Sequence, residues 1–344
     1  MSSRASDRGH PAAGWTRRPL VDLVCPAHQG SLTISRDGAQ LICREGCTYA
    51  VVDGIPRFVP RVNYASGFGL QWNTFRTTQL DSQTHTTVSA DRLRRIAGGN
   101  LRTFDGKMIL EAGCGAGRFT EVLLASGAKV FAADLSDAVD ANASNCGHFP
   151  DYFVCQADIL RLPVRPETFD IVLCIGVVQH TPDPEATMAA LCRYLRPGGV
   201  LLMDHYSPDY AATWSRRVLR RALLPLPPAL ALGLCRALVS GLWPIHRLTF
   251  ALRTQTIFDK VRQWWVRLSP VVDYHDAYPQ LGEKLLHDWA ILDTHDTLTD
   301  RYKHLRSASQ IVDHLRACGM DSVSAKYAGN GVEVRATKTT RRDA

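Results

Sequence analysis

A short apolar strand that runs straight into closely spaced glycines is the feature that most constrains this 344-residue chain. The strand ends at Ala112, and Gly113, Gly115 and Gly117 occupy every second position before a helix begins near Arg118. Because glycine has no Cβ, such a loop can turn tightly and let a ligand lie against the backbone. This order of strand, loop and helix predicts a nucleotide-type binding site at the end of a parallel sheet.

The rest of the chain alternates short apolar strands with helical segments. This alternation indicates a parallel sheet with crossover helices. Near the end, a helix over Ser309–Cys318 precedes strands at Ser322–Tyr327 and Val332–Lys338, and the Gly329-Asn330-Gly331 segment between them predicts a hairpin turn. The strands predicted upstream are Met108–Ala112, Lys129–Ala133, Tyr152–Gln156, Phe169–Ile175 and Val200–Asp204.

Three acidic residues near the strand ends indicate which ligand suits the glycine loop. Glu111 precedes the glycines, where a carboxylate repels a pyrophosphate but attracts the ammonium group of a methionine moiety. Asp134 closes the second strand and is placed to accept both ribose hydroxyls. Asp158 follows the third strand and is placed to accept the adenine amine, with Ile159 packed on the ring. These acids favour a cationic sulfonium nucleoside, and an NAD-dependent dehydrogenase is the competing interpretation.

Four segments carry a resemblance to a known family. Ile109–Thr120 resembles the glycine motif of class I S-adenosylmethionine-dependent methyltransferases, and Phe169–His180 resembles their fourth-strand motif. Leu195–Leu201 matches their Leu-(Lys/Arg)-Pro-Gly-Gly signature, and the last hairpin fits their reversed final strand. The resemblance covers residues 107–207 and 308–338.

The resemblance implies an α/β fold with a Rossmann-like, seven-stranded, mostly parallel sheet and an antiparallel last strand. A small N-terminal β module and a helical lid insertion accompany it. Phe68–Asn73 looks like the linker that folds over the cofactor in such bacterial enzymes, so Gln71 and Trp72 are expected to touch the methionine or the substrate; a helix merely packed on the sheet edge is the alternative. The implied cofactor, S-adenosylmethionine, would be bound by Glu111, Gly113, Cys114, Gly115, Gly117, Asp134, Leu135, Asp158, Ile159, Ile175 and Gln71.

The segment after the fourth strand carries the candidates for catalysis. It lacks the (Asn/Asp)-Pro-Pro-(Tyr/Phe) motif of enzymes that methylate planar amines, and it is similar to small-molecule and quinone methyltransferases. His180 is the first candidate for a base or a substrate-orienting group, and a histidine that caps the following turn is the alternative. His205 and Tyr206, at the end of the fifth strand, also fall on the active face by topology.

An N-terminal segment carries a metal-binding pattern. Cys25 and His28 form one pair, Cys43 and Cys47 form a second, and short strands are predicted around them, beginning with Leu20–Val24. Two pairs at this spacing suit tetrahedral zinc. The segment resembles the zinc-ribbon-like domain of the tRNA-methyltransferase activator family, which commonly has a second cysteine where this chain has His28.

About a hundred residues between the fifth strand and the last helix exceed what one crossover needs. From Asp209 to Pro270, ten basic residues stand against two acids, with Trp214, Trp243, Trp264 and Trp265 interleaved. Three interpretations stay open: a helical lid with a solvated basic face, a lid that meets a membrane surface or a lipid-like substrate, and a nucleic-acid groove. A polar and aromatic cluster expected to line the acceptor pocket follows at Trp289, Asp293, His295, Asp296, Arg301 and Tyr302.

The whole chain divides into a disordered tail (1–18), a zinc-ribbon-like module (19–60), a helical linker (61–105), the methyltransferase domain (106–207 and 308–338) and the lid insertion (208–307). The first twenty residues lack an apolar core, and the longest uncharged run, Ala222–Cys235, is too short to span a bilayer, so we expect a cytoplasmic protein. The expected activity is O-, C- or N-methylation of a small or lipid-like molecule, with peripheral membrane contact as a further expectation. The alternatives are an RNA or protein methyltransferase and a non-catalytic scaffold subunit.

Overall fold

The computed structural model describes residues 18–210, 213–329 and 331–340. The predicted tail and Asn330, at the centre of the predicted turn, therefore lie outside the described residues, except for Arg18. The strands are β1 Leu32–Ile34, β2 Gln40–Cys43, β3 Thr48–Val52, β4 Ile55–Arg57, β5 Met108–Ala112, β6 Lys129–Asp134, β7 Tyr152–Gln156, β8 Phe169–Cys174, β9 Leu195–His205, β10 Met320–Ala328 and β11 Gly331–Lys338. The helices are α1 Ser66–Thr74, α2 Asp81–Thr84, α3 Val88–Ile96, α4 Thr120–Ala125, α5 Ala138–Cys146, α6 Pro184–Tyr194, α7 Trp214–Leu223, α8 Pro228–Leu252, α9 Thr256–Leu268, α10 Glu283–Thr299 and α11 Ala308–Ala317.

Seven strands form the central sheet in the order β7-β6-β5-β8-β9-β11-β10. The first five are parallel to one another, whereas β11 runs antiparallel to both β9 and β10. The inner strands are buried on both faces, as parallel strands covered by helices must be. The predicted α/β fold, with its antiparallel last strand, is confirmed.

The N-terminal β module joins this sheet at one edge. Strands β1 to β4 form an antiparallel meander, and β4 pairs in parallel with β7 at Arg57 and Gln156, which extends the sheet to eleven strands. The strand predicted at Leu20–Val24 is wrong. Val24 makes only a single bridge to Ser31, and its N–H donates to Pro163 O at 2.9 Å, so this segment is tied to the methyltransferase domain and not to a ribbon strand.

The linker lies across the carboxyl ends of the central strands. Helix α1 packs on α5, and Gly69 allows this close approach because a Cβ there would lie 3.0 Å from the backbone nitrogen of Asp137. Short helices α2 and α3 follow. This packing places Gln71 and Trp72 above the glycine loop.

The insertion folds into α7 to α10 and has its own apolar core around Trp243, Val271 and Trp289. Helix α8 is long and apolar enough to cross a membrane by length and composition alone. The expectation from sequence did not include this helix, because it counted only uninterrupted uncharged residues and stopped at Arg236. Composition and length do not establish a span, and α8 packs against α9 and α10.

Candidate active site

A cavity of about 410 Å³ opens at the carboxyl ends of the central strands. Its floor comes from residues that end or directly follow β5, β6, β7, β8 and β9, where ligands bind in open α/β sheets. The linker and the insertion supply its walls. Of the residues predicted to touch the cofactor or to act in catalysis, those that line it are Gln71, Trp72, Gly113, Cys114, Gly115, Asp134, Leu135, Asp158, Ile159, Ile175, His180 and Tyr206.

The three glycines of the loop have separate roles. Gly113 has a φ of +78°, and a Cβ there would lie 2.2 Å from Val177 Cγ2, so only glycine lets the β5 and β8 loops meet. Gly115 lines the cavity and donates its N–H to Asp134 Oδ2 at 3.0 Å. Gly117 packs beneath the loop, where a Cβ would lie 2.8 Å from Cys146 Sγ, so its contribution is to packing and not to the cavity wall.

Asp134 is held in place by donors on both carboxylate oxygens. Besides Gly115, the backbone N–H and the hydroxyl of Ser136 donate to Oδ1 at 2.8 and 2.7 Å. Burial raises the pKa of Asp134, although these hydrogen bonds counter the increase. Asp158 lines the cavity beside Ile159, and its Oδ1 accepts the backbone N–H of Leu160 at 2.9 Å. These hydrogen bonds hold Asp134 and Asp158 at the cavity, where the sequence analysis expects them to contact ribose and adenine.

Glu111 differs from the prediction. It is buried under the loop, and its Oε2 accepts the Thr120 hydroxyl at 2.6 Å. Burial raises its pKa to about 8, only partly offset by that hydrogen bond. Because the carboxyl faces Thr120 and not the cavity, Glu111 supports the loop from below instead of facing an ammonium group.

Gln71 projects into the cavity from α1. His295 on α10 lies behind it, with Nδ1 2.6 Å from Gln71 Oε1. Burial lowers the pKa of His295 to about 4, so its ring is neutral near pH 7 and can donate Nδ1–H to the amide oxygen. The Gln71 amide nitrogen is then the group directed towards a ligand.

His180 lies at the cavity wall with an acid behind it. Its Nδ1 is 3.2 Å from Asp300 Oδ2 and 3.2 Å from the carbonyl oxygen of Tyr302. Burial lowers the pKa of His180, but the hydrogen bond to Asp300 and the charges of Asp296 and Asp300 outweigh it, and the net pKa is raised. Asp300 is itself held by Arg220, whose Nε donates to Oδ1 at 3.0 Å. The prediction did not include Asp300, since it lies 120 residues away in sequence and carries no motif.

The other two catalytic candidates, Tyr206 and His205, differ in whether they line the cavity. Tyr206 lines the cavity, its ring edge meets His180 at a centroid distance of 5.3 Å, and burial raises its pKa well above the usual value. His205 does not line the cavity. It is buried, and its Nδ1 lies 2.9 Å from Tyr206 O. The catalytic role predicted for His205 is therefore not supported by its position.

The insertion supplies the far wall. Of the predicted cluster, Trp289, Asp293 and Asp296 line the cavity, His295 stands behind Gln71, and Tyr302 reaches His180 only through its carbonyl. Arg301 does not line the cavity. Its carbonyl lies 3.4 Å from the Arg220 guanidinium. The lining residues that sequence reasoning did not single out include Tyr64, Arg92, Arg118, Tyr210, Tyr274 and Tyr278.

Arg118 and the Tyr274 partner Asp293 set the charge of the far wall. Tyr274 donates its hydroxyl to Asp293, whose pKa burial raises to about 7. Arg118 donates Nε to Ser89 and Nη1 to the Gln79 side chain, each at 2.9 Å, and its guanidinium lies 5.5 Å from the centre of the Trp289 ring. Burial lowers the pKa of Arg118. The wall therefore combines aromatic rings with a cation and a readily protonated acid.

The predicted metal ligands come together in the β module. Cys25, His28 and Cys47 offer ligand atoms within 4.8 Å of one another, and His28 Nδ1 lies 3.7, 3.7 and 3.6 Å from the Sγ atoms of Cys25, Cys43 and Cys47. In a tetrahedral zinc site, an imidazole nitrogen and a thiolate sulfur are about 3.5 Å apart. Burial raises the pKa of Cys25, yet hydrogen bonds from Tyr49 and two backbone N–H groups lower it to about 6. The cluster of Cys25, His28 and Cys47, with Cys43 Sγ close to the same imidazole, is compatible with a zinc ion.

Comparison with known proteins bears on this site. A family described as "Methyltransferase domain" matches residues 110–203. The ubiquinone biosynthesis O-methyltransferase of Aromatoleum aromaticum is 34% identical over 111 residues, 31% of this chain and 47% of that protein. The enzyme of the same name from Idiomarina loihiensis is 35% identical over 103 residues, 29% and 42% of the two chains. The chain spans a little under half the length of these curated relatives.

Among solved structures, magnesium protoporphyrin IX methyltransferase from Synechocystis, with bound SAH, aligns over 80% of this chain and 97% of its own at 14% identity and a TM-score of 0.41. That similarity is too low to carry an argument. The family match falls on β5 to β9, which supply the glycine loop and most of the cavity floor. The chain therefore carries a class I S-adenosylmethionine-dependent methyltransferase domain.

Proposed function

We propose that this protein transfers a methyl group from S-adenosylmethionine to a hydroxyl oxygen of a small molecule, with His180 as the general base. The observation that carries the proposal is the position of His180 at the cavity wall with Asp300 Oδ2 3.2 Å behind it. The relatives named O-methyltransferases support the choice of oxygen. Hydroxyl acceptors also need a base more than amines do, because their proton must leave.

The residues present fit the cofactor. The glycine loop offers bare backbone, Asp134 and Asp158 would hold the nucleoside, and the Gln71 amide nitrogen would meet the methionine carboxylate. When bound, S-adenosylmethionine supplies an electrophilic methyl group. The remaining work for the protein is to align the acceptor oxygen with that methyl and to exclude water, which can supply about 7–11 kcal/mol of barrier lowering.

His180 is prepared to receive the acceptor proton. The Tyr302 carbonyl accepts its Nδ1–H, with the Asp300 carboxylate 3.2 Å from the same nitrogen, which leaves Nε2 with a free lone pair. As the proton moves to Nε2, the ring becomes positively charged, and Asp300 stabilises that charge. Because the net pKa of His180 is raised, the base form becomes populated as the pH rises above the ordinary histidine value.

The acceptor class follows from the far wall. Tyr206 and Tyr210 stack at a centroid distance of 4.3 Å, and Tyr274, Tyr278 and Trp289 contribute further rings. Aromatic walls with a few polar groups suit a planar or partly apolar small molecule. We infer a phenol-like or enol-like hydroxyl as the acceptor, on a small or lipid-like molecule. The same reasoning makes RNA and protein acceptors less favoured, since they bring no feature that needs this enclosed aromatic wall.

Structural zinc in the β module is a second part of the proposal. The close group of Cys25, His28 and Cys47 supports it, together with Cys43 Sγ at 3.7 Å from the same imidazole nitrogen. Metal analysis of the purified chain should find one zinc per protein, and Cys47→Ser should lose it. Zinc absent from the freshly purified wild type would end this part. None of the ten cysteines forms a disulfide, and on this ground we propose a cytoplasmic location.

The reaction is tested with the purified full chain, labelled S-adenosylmethionine and a panel of small phenols, with tRNA as the competing acceptor. We expect label in at least one phenol, loss of turnover in His180→Ala and unchanged binding of S-adenosylhomocysteine by that variant. Label in tRNA alone, or full turnover in His180→Ala, would overturn the proposal. Binding of NAD in place of S-adenosylhomocysteine would remove its premise.

A further inference from the structure

Helix α8 has two apolar faces, and only one of them is covered. The inner face packs into the insertion core through Leu232, Cys235, Val239 and Trp243. Only 28% of its most apolar window is buried, so this is not a typical core helix. The outer face repeats apolar or small residues three or four positions apart, which places them on one side of the helix: Leu230, Leu234, Ala237, Gly241, Ile245, Leu248 and Leu252.

Helix α9 repeats the arrangement. Arg262 on its inner side is buried and donates to Asp276 at 2.7 Å, whereas the opposite side carries an apolar stripe. Ile257 is 69% exposed and Trp264 is 62% exposed. Val261 and Leu268 complete the stripe at spacings of three and four residues. Helices α8 and α9 form a hairpin, and the outer face of the hairpin is defined as the exposed apolar residues of these two helices.

Basic side chains border the outer face. Arg236 lies beside the α8 stripe, Lys260 and Arg267 lie beside the α9 stripe, and all three are exposed. Arg217 and Arg221 extend the charge onto α7. No ion-pair partner is seen for these five among the described residues. Asp259 is the one acidic residue in α8 and α9, and its carboxylate accepts a hydrogen bond from the Gln263 side chain.

We propose that the outer face of the hairpin is a peripheral membrane-binding surface for anionic lipids. Large exposed apolar stripes mark an interaction site, and basic residues along their borders match negatively charged headgroups. A second copy of the chain would place like charges opposite each other, so charge complementarity favours the membrane. The proposal goes beyond the proposed reaction and does not depend on it.

The helices lie in the membrane interface and do not cross the bilayer. Crossing would require α8 to leave its inner partners, including His246, which is buried and has Nδ1 2.7 Å from Asp273 Oδ2. That aspartate also binds Arg262 of α9 at 3.2 Å. An in-plane helix keeps these contacts and still buries its outer face. Val272 and Tyr274, on either side of Asp273, line the cavity, so the helices that carry this surface are packed on their inner side against part of the cavity wall.

The full chain is mixed with phosphatidylcholine vesicles, with and without phosphatidylglycerol, and bound protein is measured by co-sedimentation. We expect binding only with phosphatidylglycerol, weakened by salt. Leu248→Ser with Trp264→Ser should lower the partition coefficient at least about tenfold, since two apolar anchors are lost. Tyr327→Ser, which removes a 60% exposed aromatic residue from β10, is the matched control and should bind as the wild type does.

Circular dichroism and S-adenosylhomocysteine binding of each variant, measured on the same samples, separate loss of the surface from loss of the fold or of the proposed reaction. Failure of the wild type to bind either vesicle, or equal binding by the double variant, overturns the proposal. The proposal is also overturned if light scattering shows that the wild type is a dimer and the double variant is a monomer. Retention on tRNA without binding to vesicles overturns it as well.

Discussion

His295 Nδ1 lies 2.6 Å from Gln71 Oε1, although 224 residues separate the two in sequence. Gln71 belongs to the linker and His295 to the insertion, so this contact, like the hydrogen bond from Trp289 Nε1 to Thr78 O, joins the two regions that cover the cavity. Because the amide oxygen can only accept, Nδ1–H of the neutral, buried histidine is the donor, and this bond orients the glutamine amide. The two covering segments therefore meet at a side chain that lines the cavity.

Gln71→Leu should weaken S-adenosylhomocysteine binding about tenfold, since one hydrogen bond to the ligand and one to His295 are lost. Calorimetric titration measures this directly. Gln83→Leu, an exposed substitution on α2, is the control and should leave the affinity unchanged. Equal affinity in Gln71→Leu would show that the amide does not face the cofactor.

Asp300→Asn should lower turnover and move its pH dependence. Asp300 helps to raise the pKa of His180, so its loss lets burial lower that pKa. Activity that depends on neutral His180 rises with pH through that pKa, and the rising limb should move to lower pH in the variant. The profile of kcat/KM against pH is the measurement, with exposed His148→Ala as control. If the rising limb of the pH profile stays in place, Asp300 does not influence the pKa of the catalytic base.

Asp273→Asn should destabilise the insertion by about 3–5 kcal/mol, the usual cost of breaking a buried ion pair. Asp273 accepts from His246 and His275 at 2.7 and 2.6 Å and pairs with Arg262. Burial alone would raise its pKa, but these partners lower it well below the usual value. Its stabilising effect is therefore complete above the ordinary aspartate pKa and is lost as the pH falls towards the folded-state pKa.

Thermal unfolding of Asp273→Asn at neutral pH checks this prediction. Asp288→Asn, which removes an exposed pair with Lys284 at 3.3 Å, should change the melting temperature little. A melting temperature equal to that of the wild type in Asp273→Asn would show that the cluster does not stabilise the insertion.

The sequence predicted the features that local pattern controls. The glycine loop and the strands of the central sheet follow from apolar runs and turn residues, and the paired spacing of Cys25, His28, Cys43 and Cys47 predicts their meeting. Asp300 and Tyr274 were missed because they reach the site through the packing of a long insertion, which no local pattern encodes. His205 was misplaced because topology gives the strand end but not which neighbour faces the cavity. The domain boundaries themselves stay predictions.

Glu111 gives the sharpest contrast between a motif and its structure. The motif suggests a contact with the cofactor, but the carboxyl is buried against Thr120 and its pKa is raised to about 8. An acid with a raised folded pKa favours the protonated state, so the fold loses stability as the pH rises from about 4.5 towards 8. Glu111→Gln keeps the shape without the charge, and its free energy of unfolding should decline less over this range.

Chemical denaturation at pH 5.5 and pH 8.5 compares the two proteins, and calorimetry compares their affinity for S-adenosylhomocysteine. We expect the free energy of unfolding of the variant to increase relative to that of the wild type at the higher pH. Its affinity for the ligand should stay within about twofold of the wild-type affinity, because a side chain that faces Thr120 contributes no charge to the cavity. A large loss of affinity in Glu111→Gln would mean that the carboxyl turns towards the ammonium group when the ligand binds. Thr120→Val tests the same contact from the other side: it removes the hydroxyl that donates to Glu111 and lowers its pKa, so it should destabilise the fold more at pH 8.5 than at pH 5.5.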